Sequence, residues 1–84
     1  MNDYKDFVNH LDLLFKVKYH GNKLEPVKTL NIQKKTDLLY IFTVENTYGT
    51  DVDNYEIYRQ GIPLDCTLSV IASDENSITL KAEL

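Results

Sequence analysis

Residues 38–44 read Leu38-Leu39-Tyr40-Ile41-Phe42-Thr43-Val44, an unbroken apolar stretch rich in β-branched and aromatic side chains. Such side chains suit a pleated backbone, and apolar character on both faces of the run marks a strand with neighbours on either side. It is the expected centre of a sheet. Before it, Leu30 and Ile32 alternate with Thr29, Asn31 and Gln33, and Lys34-Lys35-Thr36-Asp37 supplies a polar connection. After it, residues 45–54 hold Gly49, two Asn and two Asp, the composition of a long exposed loop. Tyr55-Glu56-Ile57-Tyr58 resumes an extended pattern until Gly61-Ile62-Pro63 interrupts it. Cys66, Leu68, Val70 and Ala72 then share one face opposite Thr67, Ser69 and Ile71. Ser73-Asp74-Glu75-Asn76-Ser77 turns the chain, and Ile78, Leu80, Ala82 and Leu84 alternate with Thr79, Lys81 and Glu83. This is a hairpin with one wet face, and its last strand carries no proline or lysine cluster to guard a sheet edge.

The N-terminal segment follows a different period. Tyr4, Phe7, Val8, Leu11, Leu14 and Phe15 recur at helical spacing, with Asn2 or Asp3 as cap and Asp3 and Asp6 at the positive end of the helix dipole. The spacing predicts a helix to about Lys16. Phe15-Lys16-Val17-Lys18-Tyr19 also alternates as a strand does, so a short extended piece follows, then a turn at His20-Gly21-Asn22-Lys23. Pro26 bars further helix. The expected fold is α+β, one N-terminal helix packed on a twisted antiparallel meander of about five strands. Its expected core is Phe7, Leu11, Leu14, Phe15, Tyr40, Phe42, Leu68, Val70, Ile78 and Leu80.

Composition narrows the class. With 84 residues, 43% hydrophobic and only three Gly and two Pro, residues 1–84 are expected to form a single compact domain. Cys66 is the only cysteine, which excludes an internal disulfide and a cysteine-built metal site and points to a reducing, cytoplasmic setting. The N-terminus has no basic leader, and the longest apolar run is far shorter than a bilayer span, so no membrane association is expected. Charge is divided along the chain: residues 1–35 carry seven Lys against four acids, and residues 36–84 carry nine acids against Arg59 and Lys81. The net charge of −4 disfavours direct nucleic-acid binding and suits a basic protein partner.

Motifs for catalysis are missing from the sequence. No local pattern marks Cys66 or a serine as a nucleophile beside His10 or His20, and the three glycines stand in separate turns rather than in a phosphate-binding loop. Asp51-Val52-Asp53-Asn54 opens like a calcium loop, but Glu56 occupies its glycine position and Ile62 its twelfth-position carboxylate. The expectation is a protein that is not an enzyme and uses no metal or cofactor. The basic residues Lys16, Lys18, Lys23, Lys28, Lys34 and Lys35 lack the arginines and, apart from Tyr19, the interleaved rings of a nucleic-acid patch and read as a solvated surface. Residues 45–59 read differently. Glu45, Asp51, Asp53 and Glu56 stand among Tyr48, Tyr55 and Tyr58, joining negative charge to large amphipathic rings. These seven form the expected partner-binding site, since a groove that attracts phosphates attracts carboxylates by the same field. They also suit a polar loop leading into a strand whose tyrosines partly pack on the core.

The closing segment Ile78-Thr79-Leu80-Lys81-Ala82-Glu83-Leu84 resembles the C-terminus of small, acidic, phage-encoded anti-CRISPR proteins that inhibit type II RNA-guided nucleases. The resemblance covers seven residues together with size and charge. It implies a cytoplasmic inhibitor of the DNA-mimic kind, acting on the basic surface of a nucleic-acid-handling protein. The family protein carries its acids on helices near its C-terminus, whereas here they lie on a central loop, so no binding residue is carried over. The alternative expectation is a phage or bacterial assembly module that self-associates through a sheet edge, and the sequence leaves monomer and dimer both open.

Overall fold

The computed structural model describes residues 14–84. Its strands are β1 (Phe15–His20), β2 (Leu24–Val27), β3 (Thr29–Thr36), β4 (Leu39–Glu45), β5 (Tyr55–Arg59), β6 (Ile62–Pro63), β7 (Thr67–Ser73) and β8 (Ser77–Glu83). They form two antiparallel four-stranded sheets, ordered β2-β1-β5-β6 and β3-β4-β8-β7. Among the described residues the helical positions are Leu14 and a 3-10 turn, Val52–Asn54. The α+β expectation is thereby corrected to an all-β architecture, and the single meander to two sheets. Most of the helix expected over residues 1–16 lies outside the described residues, as do the expected core positions Phe7 and Leu11. Where that helix was to end, Phe15 and Lys16 belong to β1. The physical reason is that Phe15, Val17 and Tyr19 alternate with Lys16, Lys18 and His20, and β1 finds pairing partners on both sides, β2 and β5.

The two sheets share one core. Phe15, Val17, Val27, Tyr55 and Ile57 from the first meet Ile32, Tyr40, Phe42, Val44, Ile78, Leu80 and Ala82 from the second. Phe15 crosses between them, its ring centroid 5.1 Å from Tyr40 and 5.6 Å from Phe42. β4 takes the central place expected of it, between β3 and β8, with Tyr40, Phe42 and Val44 inward. The other expected core positions are filled less evenly. Ile78 and Leu80 are fully buried, whereas Leu14, Leu68 and Val70 only pack against the core's margin. A bulge between Val70 and Ala72 turns Ala72 outward.

Connections explain how one short chain builds two sheets. A single residue, Lys28, separates β2 from β3 and carries the chain from the first sheet to the second. β5 and β6 are joined by Gln60 (φ 52°) and Gly61 (φ 83°), two left-handed residues of the kind that close tight hairpins. β8 is not the edge strand expected of the chain's last segment: β4 and β7 enclose it, and β7 is the edge. Among the described residues no helix is long and apolar enough to cross a membrane.

Candidate functional site

The loop after β4 is held by its own polar side chains rather than left to solvent. The Asn46 N–H donates to the Asn76 carbonyl (3.0 Å) and its Nδ2 to the Asp74 carbonyl (2.7 Å), so the loop is fastened to the β7–β8 turn. Asn46 Oδ1 accepts from the Gly49 N–H at 3.1 Å, and the Gly49 carbonyl accepts from the Tyr55 hydroxyl at 2.6 Å. Gly49 sits at φ 88°, a conformation that side-chain-bearing residues rarely adopt. Asn54 Nδ2 then donates to Asp51 Oδ2 (2.7 Å) and reaches the Tyr19 hydroxyl (3.4 Å). The 3-10 turn between them packs against β7.

The fastening assembles an acidic end of the sandwich from two distant segments. Pairing of Glu45 with Ser77 and the bonds of Asn46 put Glu45 beside Asp74 and Glu75, and Asp51 and Asp53 follow on the same loop, whose 3-10 turn packs against β7, the strand that enters the 73–77 turn. All five are exposed, and among the described residues none lies within ion-pair distance of a cation. Hydrogen bonds from the Asn76 and Ser77 N–H groups hold the Asp74 carboxyl below the usual carboxylate range, so it is ionised at neutral pH. The five are spread over a surface: among the described residues no three acidic, histidine or cysteine side chains stand close enough to hold a metal ion.

Three tyrosines stand beneath this surface. Tyr19 and Tyr48 stack face to face with centroids 4.6 Å apart, and Tyr55 meets Tyr19 edge-on at 5.0 Å. Tyr55 is a core residue, and burial, with lesser contributions from Tyr19, Tyr48 and Asp51, raises its hydroxyl above the usual tyrosine value. Next to the stack opens a groove of about 410 Å³ lined by Tyr19, Gly21, Asn22, Lys23, Glu25 and Tyr48.

The seven residues expected to bind a partner are thus divided among three environments. Glu45, Asp51 and Asp53 are on the acidic end, and Tyr48 walls the groove. Tyr55 faces inward and supports the loop from below. Glu56 and Tyr58 lie on the outer face of the first sheet, because residues 55 and 57 of β5 point inward and 56 and 58 outward. There the Tyr58 hydroxyl donates to Glu56 Oε1 (2.9 Å), Lys18 Nζ lies 4.5 Å from the Tyr58 ring centroid, and His20 Nδ1 is 3.5 Å from Glu56 Oε2. The bond to Glu56 raises the Tyr58 hydroxyl. Glu56 is therefore engaged with neighbours on a basic strand and is no part of the acidic end. Asp74, Glu75 and Tyr19 are the residues that the sequence reading missed. No local signal marks the two acids, because the pairing of β4 with β8 is what brings the 73–77 turn beside the loop that leaves β4.

Cys66 is half-buried beside Asp65, and burial first, then the Asp65 charge, pushes its thiol up, which disfavours the nucleophilic thiolate. Comparison with protein-family models finds no match, and neither curated proteins nor solved structures show one.

Proposed function

We propose that this protein is a non-catalytic inhibitor that docks its acidic end on the basic surface of a nucleic-acid-handling protein in the cytoplasm and excludes nucleic acid from it. The observation that carries this reading is the fastening of the 45–54 loop to the 74–76 turn, which presents Glu45, Asp51, Asp53, Asp74 and Glu75 without cationic partners among the described residues. Fixed carboxylates on a rigid sandwich need little ordering on binding, so their field acts at small entropic cost. The resemblance of residues 78–84 makes a type II RNA-guided nuclease the first partner to test. The test is affinity capture from bacterial lysate and direct binding to such a nuclease, with wild type and with Asp51→Lys/Asp53→Lys. Wild type should bind with an on-rate that falls as salt rises and should reduce DNA binding by the partner; the double variant should associate at least about tenfold more slowly with its fold intact. Equal retention of the same partners by both baits refutes the reading.

A second reading, self-assembly through a sheet edge, is favoured by β7. Among the described residues β7 pairs only with β8, and its residues, Thr67–Ser73, include no charge and no proline. Light scattering during size-exclusion chromatography separates the two: a stable oligomer supports assembly, and a monomer refutes it.

A further inference from the structure

The tyrosine-walled groove adjoins the acidic end but differs from it in chemistry. Its wall is the Tyr19–Tyr48 stack, its floor carries one carboxylate, Glu25, and its rim is the β1–β2 turn at Gly21 and Asn22. Glu25 faces the groove because β2 alternates: Val27 is inward against Val17, and Glu25 is paired with Tyr19 on the same side. The cation now beside it is loosely held, with Lys23 Nζ at 3.8 Å from Glu25 Oε2 on a side chain 81% exposed. An exposed pair of that kind contributes little and exchanges readily for a better cation. Gly21 leaves open the space beside the edge of the Tyr19 ring, since a Cβ at that position would lie 3.5 Å from Tyr19 Cε2. Its backbone is not left-handed, so the position tolerates a side chain and is open because of the residue type rather than because of the turn.

We infer that this groove receives an arginine side chain of the basic partner, an assignment that rests on the proposed docking of the acidic end and names the group that anchors it. A guanidinium is flat, so one face lies on the side of the Tyr48 ring that Tyr19 does not cover while its edge donates two parallel hydrogen bonds to the Glu25 carboxylate. Lysine offers a point charge that cannot do both. Asp51, tied through Asn54 to the Tyr19 hydroxyl, adds negative potential on the side of the stack facing the acidic end. Buried arginine with an aromatic neighbour is also the kind of contact that concentrates binding energy at interfaces.

The test titrates the full chain with N-acetyl-arginine amide, followed by NMR at the Tyr19 and Tyr48 rings and the Gly21 and Asn22 amides. Saturable shifts are expected at these positions, with binding about fivefold or more tighter than for the citrulline and lysine analogues, which lack the charge and the planar fork respectively. Glu25→Gln should weaken binding about threefold to tenfold, Gly21→Val should weaken it by filling the groove, and Lys23→Gln should tighten it about twofold by removing the competing cation. Citrulline binding as well as arginine, an absence of shifts, or weakening by Lys23→Gln overturns the inference. Asp74→Lys/Glu75→Lys keeps the two levels apart. It should abolish partner capture yet leave arginine-amide binding within about twofold, because these carboxylates are outside the groove. Loss of capture with arginine binding absent from wild type defeats the groove alone; unchanged capture with arginine binding intact defeats the docking surface alone.

Discussion

Replacing Tyr55 by Phe separates the support of the acidic loop from the packing of the core. The ring stays, so the edge-on contact with Tyr19 and the burial between the sheets are kept and no cavity forms. What goes is one hydroxyl donor at 2.6 Å from the Gly49 carbonyl. A hydrogen bond of this sort contributes about 0.5–1.5 kcal/mol net, and a half-buried carbonyl deprived of its donor raises the loss to about 1–2 kcal/mol. Urea unfolding is the assay. With a slope of about 1 kcal/mol/M, suited to a small chain, the midpoint should fall by about 1–2 M with the slope unchanged. The pH dependence gives an independent check. The Tyr55 hydroxyl titrates higher in the folded state than its ordinary value of about 10, so its contribution is complete below that value and is lost as pH rises through the folded value. Wild type should therefore lose stability at alkaline pH more steeply than Tyr55→Phe, the other tyrosines being common to both. A midpoint within about 0.3 M of wild type, a shift of about 0.3 kcal/mol at that slope, together with superposable alkaline limbs, would refute the role given to this tie.

Three other outcomes follow from the packing and the turns. Phe42→Ala, at a side chain wholly excluded from solvent, should cost about 3–5 kcal/mol and leave little native protein in a thermal melt. Gln60→Asn should raise the urea midpoint by an amount worth up to about 1 kcal/mol, because Asn tolerates the left-handed conformation that Gln60 adopts at φ 52°. The Asp74 carboxyl is held low in the folded state, so the stability it supplies is present above its ordinary value and is lost as pH falls through the lower folded one. Asp74→Ala should flatten the acid limb of the stability profile below about pH 4.

Legibility in the sequence followed the period-two signal. Residues 38–44 and the 64–84 hairpin were readable because apolar side chains alternate or run continuously there, and β4, β7 and β8 occupy those places. β1 carried the same signal in Phe15, Val17 and Tyr19, but it abuts a helically spaced segment, and local pattern cannot reveal that β2 and β5 lie ready to pair on both sides. The candidate site was half readable for the same reason. A window along the chain groups Tyr55, Glu56, Ile57 and Tyr58, whereas the strand that contains them sends alternate residues to the core and to the opposite surface. Asp74 and Glu75 were out of reach of any such window, because their neighbourhood with Asn46 is made by strand pairing across more than twenty intervening residues.

The order of the strands has a consequence for how the protein folds. β1 is the middle of the first sheet's pairing yet waits for Tyr55–Arg59, and the second sheet cannot close until Ser77–Glu83 slides between β4 and β7. A chain in which that strand has not yet docked holds β4 with one backbone edge unpaired, and Tyr40, Phe42 and Val44 lack their neighbours Ala82, Leu80 and Ile78. Pairing of this kind joins segments far apart in the chain, so the stages of folding that precede it leave apolar surface uncovered and open to association.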